Sequence, residues 1–240
     1  MHHLGILAHS VEGALLCMRT FCHEGFRKLG PHRHPDVTLD CIEMAASMDA
    51  WDAGDHATVR ATLMTSADRL ARAGADFFVC PDNTAHIALE TPGPAFPIPG
   101  LHIAEVVAAR AAKDGRKRVG VLGTRYTMDG PVYRRALSAR GIAAEVPEPG
   151  ERERINTIIF EELVNGVFTD GSRAEYQRII DRLAAAGCDA VALVCTEIPL
   201  LITPGDSRLP TLDSTRLLAK AAFAVAAGEE PMPSWRCGPV

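Results

Sequence analysis

Aromatic side chains are scarce in this chain, at 5% of residues against 47% hydrophobic, so its core must be aliphatic. Basic residues are not in excess either. The formal net charge of −5 excludes a basic face for nucleic acid and a general phosphate-binding surface. The seven cysteines form no Cys-x-x-Cys pair, and at 240 residues the chain is too large to need covalent staples. They are read as reduced thiols of a cytoplasmic protein. The N-terminus, Met-His-His-Leu-Gly-Ile-Leu-Ala-His, holds no long apolar stretch, which argues against a signal peptide or membrane span. No glycine-rich loop of the Walker or dinucleotide type is present. A small carboxylate is therefore the natural ligand.

What the chain does have is a message written twice. Ala-Gly-Ala-Asp-Phe-Phe-Val-Cys-Pro-Asp-Asn-Thr ends at Thr84, and Ala-Gly-Cys-Asp-Ala-Val-Ala-Leu-Val-Cys-Thr-Glu ends at Glu197. Anchored on Gly74 and Gly187, Asp82 falls opposite Cys195, each eight residues further on. Gly5-Ile6-Leu7 likewise corresponds to Gly120-Val121-Leu122. Two similar half-sites point to a ligand held between two related lobes, with an acid/base group from each.

Short apolar runs alternate with amphipathic ones. Strands are expected at Leu4–Ala8, Val37–Ile42, Asp76–Pro81, Arg118–Leu122, Ile142–Val146 and Ala190–Val194. Helices are expected over Glu12–Leu29, Ala57–Ala73, Ile103–Asp114, Arg152–Leu163, Ala174–Ala186 and Asp213–Ala227, with another opening at Gly130-Pro131. The expected class is α/β, with parallel sheets covered on both faces. Ligands of such sheets bind at the carboxyl ends of strands, where helix N-termini favour anions. Ser10, Asp82-Asn83-Thr84, Thr124 with Thr127, and Cys195-Thr196-Glu197 all fall there. The repeat divides the chain into a first lobe, 1–102 plus 210–227, and a second, 103–209. The tail, 228–240, with its prolines, reads as loosely attached coil.

Asn83-Thr84-Ala85-His86 after an apolar strand, with Cys195-Thr196-Glu197-Ile198-Pro199-Leu200-Leu201 later, resembles the aspartate/glutamate (Asp/Glu/hydantoin) racemase superfamily. Leu122-Gly123-Thr124 and Leu212-Asp213-Ser214-Thr215 extend the resemblance over nearly the whole chain. It implies two doubly wound parallel-sheet lobes related by a pseudo-twofold axis, with the active site between them. It also implies catalysis without pyridoxal phosphate or metal, and a homodimer. Typical members carry a cysteine before Asn-Thr and another before Thr-Glu. This chain keeps the second as Cys195 and has Asp82 at the first. Cys80 points to the same strand face as residue 82 but about 6–7 Å further back, and is read as a core thiol.

Inverting a carbon centre takes one group to remove a proton and another, on the opposite face, to return one. The expected activity is thus racemisation or epimerisation next to a carboxylate, with Asp82 and Cys195 as acid/base pair. Ser10, Asn83, Thr84, Thr124, Thr127, Thr196 and Glu197 are candidate substrate contacts. An aspartate near its ordinary pKa of about 3.9 is a weak base for a C–H proton unless burial raises it. Alternatives are a single-cysteine decarboxylase of the arylmalonate type and a non-catalytic carboxylate-binding protein. Ser47–Trp51 and Glu162–Gly166 supply no cation for a second substrate carboxylate. Arg125 is read as solvated surface and His32-x-His34 as surface rather than metal, which favours a neutral or apolar substrate over aspartate.

Overall fold

Each half of the repeat builds its own four-stranded sheet. The structure, a computed structural model, describes all 240 residues and divides into two compact units. The first comprises Met1–Ile103 and Thr215–Val240, the second Ala104–Ser214.

In the first unit, β1 (Leu4–Ala8) leads into α1 (Val11–Leu29) and β2 (Val37–Cys41). Next come α2 (Ala45–Asp52), α3 (His56–Arg72), β3 (Phe77–Val79), α4 (Ala85–Leu89) and β4 (Gly100–Leu101). All strands are parallel, in the order β2-β1-β3-β4. α5 (Ile103–Lys113) leads to the second unit, with β5 (Arg118–Leu122), α6 (Arg125–Asp129), α7 (Pro131–Ser138), β6 (Ala143–Glu145) and α8 (Pro149–Glu161). α9 (Asp170–Ala185), β7 (Ala190–Leu193), α10 (Ile198–Leu201) and β8 (Thr211–Asp213) complete its sheet, in the parallel order β6-β5-β7-β8. α11 (Ser214–Ala226) packs with the first unit.

The repeated letters do the same physical work in both units. Gly74 and Gly187 close α3 and α9 with φ of 88° and 90°, in the left-handed region open to glycine. Each makes a Schellman ending. Ala75 and Cys188 donate N–H to the carbonyls of Leu70 and Leu183, while Gly74 and Gly187 donate to Ala71 and Ala184. The following aspartates steer the entry of the neighbouring strand. The Asp76 carboxylate accepts from the N–H of His3 at 2.8 Å, and that of Asp189 from Lys117 at 2.7 Å. Gly5 and Gly120 let a helix lie close on the sheet. A Cβ at Gly5 would meet Leu70 at 3.1 Å, and one at Gly120 would meet Leu183 at 2.8 Å.

The expected strands and long helices are all present, with ends displaced by a few residues. β4 and β8 escaped the sequence pattern because two or three edge residues show no alternation. α2, α4, α6 and α10 are too short for a helical period to register. The tail corrects one expectation. It has no helix or strand, yet it is tied down. Gly100 donates its N–H to the Trp235 carbonyl at 2.8 Å, Phe96 to Arg236 at 3.0 Å, and Gly238 to Leu89 at 2.7 Å. The Trp235 ring lies against His102, with centroids 4.7 Å apart. A tryptophan to bury and crossover N–H groups needing acceptors outweigh the prolines' preference for open coil.

Gly123, just past β5, gives a test of this packing. A Cβ there would sit 2.7 Å from Val194 Cγ2 and 2.9 Å from the Val194 carbonyl oxygen. Gly123→Ala should destabilise by about 1–3 kcal/mol, as overpacked cores do. Gly150→Ala, where nothing lies within 4 Å, should be neutral by the same thermal denaturation. Equal Tm values for the two variants would contradict this packing.

Candidate active site

Strand register decides which side chains meet at the sheet ends. Leu4 pairs with Phe77, Gly5 with Phe78 and Ile6 with Val79. Three residues further along, the same register sets His9 beside Asp82. In the second unit Gly120 pairs with Val191 and Leu122 with Leu193, so Thr124 stands beside Cys195. In each unit the first and third strands are neighbours whose onward connections run to opposite edges of the sheet, the switch point where open α/β sheets bind ligands.

In the first unit the register becomes a hydrogen bond. His9 Nδ1 lies 2.7 Å from Asp82 Oδ2, and His9 Nε2 lies 3.0 Å from Ser47 Oγ on α2. Asp82 Oδ1 accepts from the Ala85 N–H at 3.1 Å, capping α4. The aspartate is therefore a cap and something more. Burial alone would raise its carboxyl. The hydrogen bond and charge of His9, the Ala85 N–H and His86 outweigh burial and hold it below the ordinary carboxylate range. Asp82 is thus a carboxylate at neutral pH, and burial does not convert it into a stronger base.

Ser47, His9 and Asp82 have the connectivity of a nucleophilic triad, but the exposure runs the wrong way. Ser47 is 1% exposed, His9 4% and Asp82 9%, so the chain opens at its carboxylate. The fully buried His86 holds this turn from beneath. Its Nδ1 donates to the Asp82 carbonyl at 2.9 Å, and its Nε2 accepts from the Ile103 N–H at 3.3 Å. Burial, then neighbouring His102, lowers its pKa to about 3, so it stays neutral. Asn83 is buried and Thr84 half-buried in the same turn, while the Ser10 hydroxyl caps α1 through the Gly13 N–H at 3.4 Å.

In the second unit, Cys195 Sγ donates to Glu197 Oε2 at 3.0 Å. Both are buried, as is Thr196 between them. Thr124 caps α6 by accepting from the Thr127 N–H at 3.3 Å, and the two hydroxyls lie 3.1 Å apart. A thiol bonded to a carboxylate rests as a proton donor, with an acceptor in place for its hydrogen. α4 and α10, which follow the two turns, have five and four residues. Anion stabilisation there falls to individual N–H groups rather than to a long helix dipole.

Other candidates find plainer roles. Burial, then the charge of Asp82, pushes the Cys80 thiol well up, which fits a core residue. Arg125 is exposed, its guanidinium over the Tyr126 ring at 5.7 Å. Glu161 is exposed. His32 and His34 pack around Phe26 at 5.7 and 5.8 Å, and nowhere do three metal-ligating side chains gather. Two residues went unread in the sequence. His9 occupies the place of Thr124 when the repeat is carried from Gly5 and Gly120, so the signal was there. Ser47 had none, being one serine in a short helix.

The family model described as Asp/Glu/Hydantoin racemase matches residues 18–222. The broad specificity amino-acid racemase RacX of Bacillus subtilis (strain 168) is 26% identical over 170 residues, covering 71% of this chain and 73% of that protein. A crystal structure of a candidate Asp/Glu racemase from Yersinia pestis superposes with a TM-score of 0.85 at 32% identity, covering 95% of this chain and 100% of that one. An aspartate racemase homologue from Pyrococcus horikoshii OT3 gives 0.79 at 26% identity, covering 95% and 100%. The repeat, the fold and these relatives agree: the chain belongs to the Asp/Glu/hydantoin racemase family and is an isomerase.

Proposed function

We propose that this protein is a cofactor-independent racemase or epimerase of an amino acid or related carboxylic acid, with Asp82 and Cys195 as its two acid/base groups. The observation that carries the proposal is their equivalence. Asp82 lies three places and Cys195 two places beyond the paired part of its switch strand, each is buried, and each is hydrogen-bonded to a titratable partner, His9 or Glu197. The repeat supports a shared substrate, with one group for each face of its alpha carbon.

The proton steps balance with solvent as the only further proton source. Asp82, ionised at rest, takes the alpha proton, and the electron pair stays on carbon, delocalised into the carboxylate. The Cys195 thiol then gives its hydrogen to the opposite face, leaving a thiolate. That form runs the reverse direction, with the thiolate as base and the protonated Asp82 as acid, and proton exchange with solvent restores the resting form. Backbone N–H groups and hydroxyls at Asn83, Thr84, Thr124 and Thr196 would hold the carboxylate, with Ser10 and Thr127 supporting their turns. Exposed Arg125 leaves a second carboxylate without an evident partner, which favours substrates with neutral side chains. The decarboxylase and silent-binder alternatives draw no support from the racemase relatives.

Substitution tests this by chiral chromatography of the product. Cys195→Ala should abolish racemisation while keeping Tm near that of the unsubstituted chain. Asp82→Asn keeps the size and the cap, so it should fold yet lose about 10²–10⁴-fold in kcat, the usual contribution of a general acid–base group. Asp82→Cys should recover part of that loss. Full racemisation by Asp82→Asn would defeat the two-base reading.

Labelling gives an independent check. Iodoacetamide should alkylate Cys195 before Cys80 or Cys188, whose thiols burial pushes well up and to about 11. Preferential labelling of Cys80 would move the reactive centre elsewhere.

A further inference from the structure

The proposed reaction leaves one difficulty. Asp82 is a buried carboxylate, and a buried carboxylate repels a carboxylate substrate. We infer that His9 is a positioning residue that removes this repulsion: its imidazolium neutralises Asp82, so a carboxylate substrate binds with His9 protonated and is rejected when His9 is neutral. The inference rests on the racemase reading for its substrate and on the Ser47–His9–Asp82 chain for its device.

That chain holds either charge state with both ring nitrogens hydrogen-bonded. In the charged state, Nδ1–H donates to Asp82 Oδ2 across 2.7 Å and Nε2–H donates to Ser47 Oγ across 3.0 Å. The Ser47 hydroxyl hydrogen then turns to the Met44 carbonyl, 3.1 Å away. That carbonyl already accepts the Ser47 N–H at 3.0 Å, so it does not depend on the hydroxyl. In the neutral state Nδ1–H still serves Asp82, and the hydroxyl turns back to donate to Nε2. One proton and one hydroxyl rotation separate the states. Both ring nitrogens are engaged, so His9 acts through Asp82. Histidine is the side chain that changes charge between about pH 5 and 8.

No other cation is positioned to do this work. The imidazole of His86 on α4 stays neutral, and Cys80, just past β3, stays a thiol. On β2, Asp40 pairs with Arg69 at 3.5 Å and Cys41 is exposed. Glu12 on α1, Glu43 before α2 and Asp49 within it are exposed carboxylates. They add negative charge, not a substitute for imidazolium.

Two measurements on the full chain test this. The first is ¹⁵N NMR of histidine-labelled protein, with the His9 signals identified by their loss in His9→Asn. At about pH 6 both His9 nitrogens should carry hydrogen, and the Asp82→Asn variant should lose one of them. The second is the pH dependence of kcat and KM for the amino acid racemised fastest in a screen of the L-forms of the chiral standard amino acids. In the unsubstituted chain KM should rise roughly tenfold as His9 loses its proton, followed by the same NMR signals, while kcat changes little. His9→Asn, which can donate to Asp82 but never be charged, should show a high and pH-independent KM. Asp82→Asn, with no charge to neutralise, should show a low and pH-independent KM despite its poor kcat. A neutral His9 beside ionised Asp82 at about pH 6, or an unchanged KM profile in His9→Asn, would overturn the inference. If no amino acid is racemised at all, the racemase reading falls instead, and the NMR result alone decides the charge of His9.

Discussion

Parallel pairing of β1 with β3, and of β5 with β7, fixes which side chains stand together at the sheet ends. A parallel ladder sets neighbouring strands about 4.8 Å apart and carries its register past the last hydrogen bond. The candidate site residues extend those two ladders by three residues in the first unit and two in the second. The repeated glycines and aspartates serve the ladders. Gly74 and Gly187 release the chain from a helix, Asp76 and Asp189 catch the adjoining strand, and Gly5 and Gly120 admit the helix above. A common register accounts physically for the recurrence of these letters in both halves.

On that shared frame the two units carry different acids. The first holds an imidazole and a carboxylate, the second a thiol and a carboxylate. Each group has a partner for its proton, but the pairs are unlike in charge. In the proposed reaction Asp82 begins as the base and the Cys195 thiol as the acid, with His9 balancing the charge of Asp82 against an anionic substrate.

Much of this was legible in the letters. The apolar runs gave the central strands, the helix-ending glycines gave the boundaries, and the repeat singled out Asp82 and Cys195. His9 was legible in principle, since the offset from Gly5 matches that of Thr124 from Gly120. Its partner Ser47 was not, because only the fold brings residue 47 to residue 9. The direction of the Asp82 shift was also hidden: it depends on whether burial or hydrogen bonding wins, and distances decide that. The tail misled because its prolines outweigh Trp235 in any local reading, while the acceptors it supplies to Phe96 and Gly100 are long-range.

The most direct test of the central claim, proton transfer at an alpha carbon by two groups, is early-time isotope incorporation. Each L- and D-amino acid is incubated with the protein in heavy water and both enantiomers are analysed by chiral mass spectrometry at low conversion. The account predicts deuterium at the alpha carbon of the product enantiomer and protium still in the recovered substrate, with no carbon dioxide released. Deuterium appearing at once and equally in both enantiomers would mean that one group serves both faces, and would contradict it.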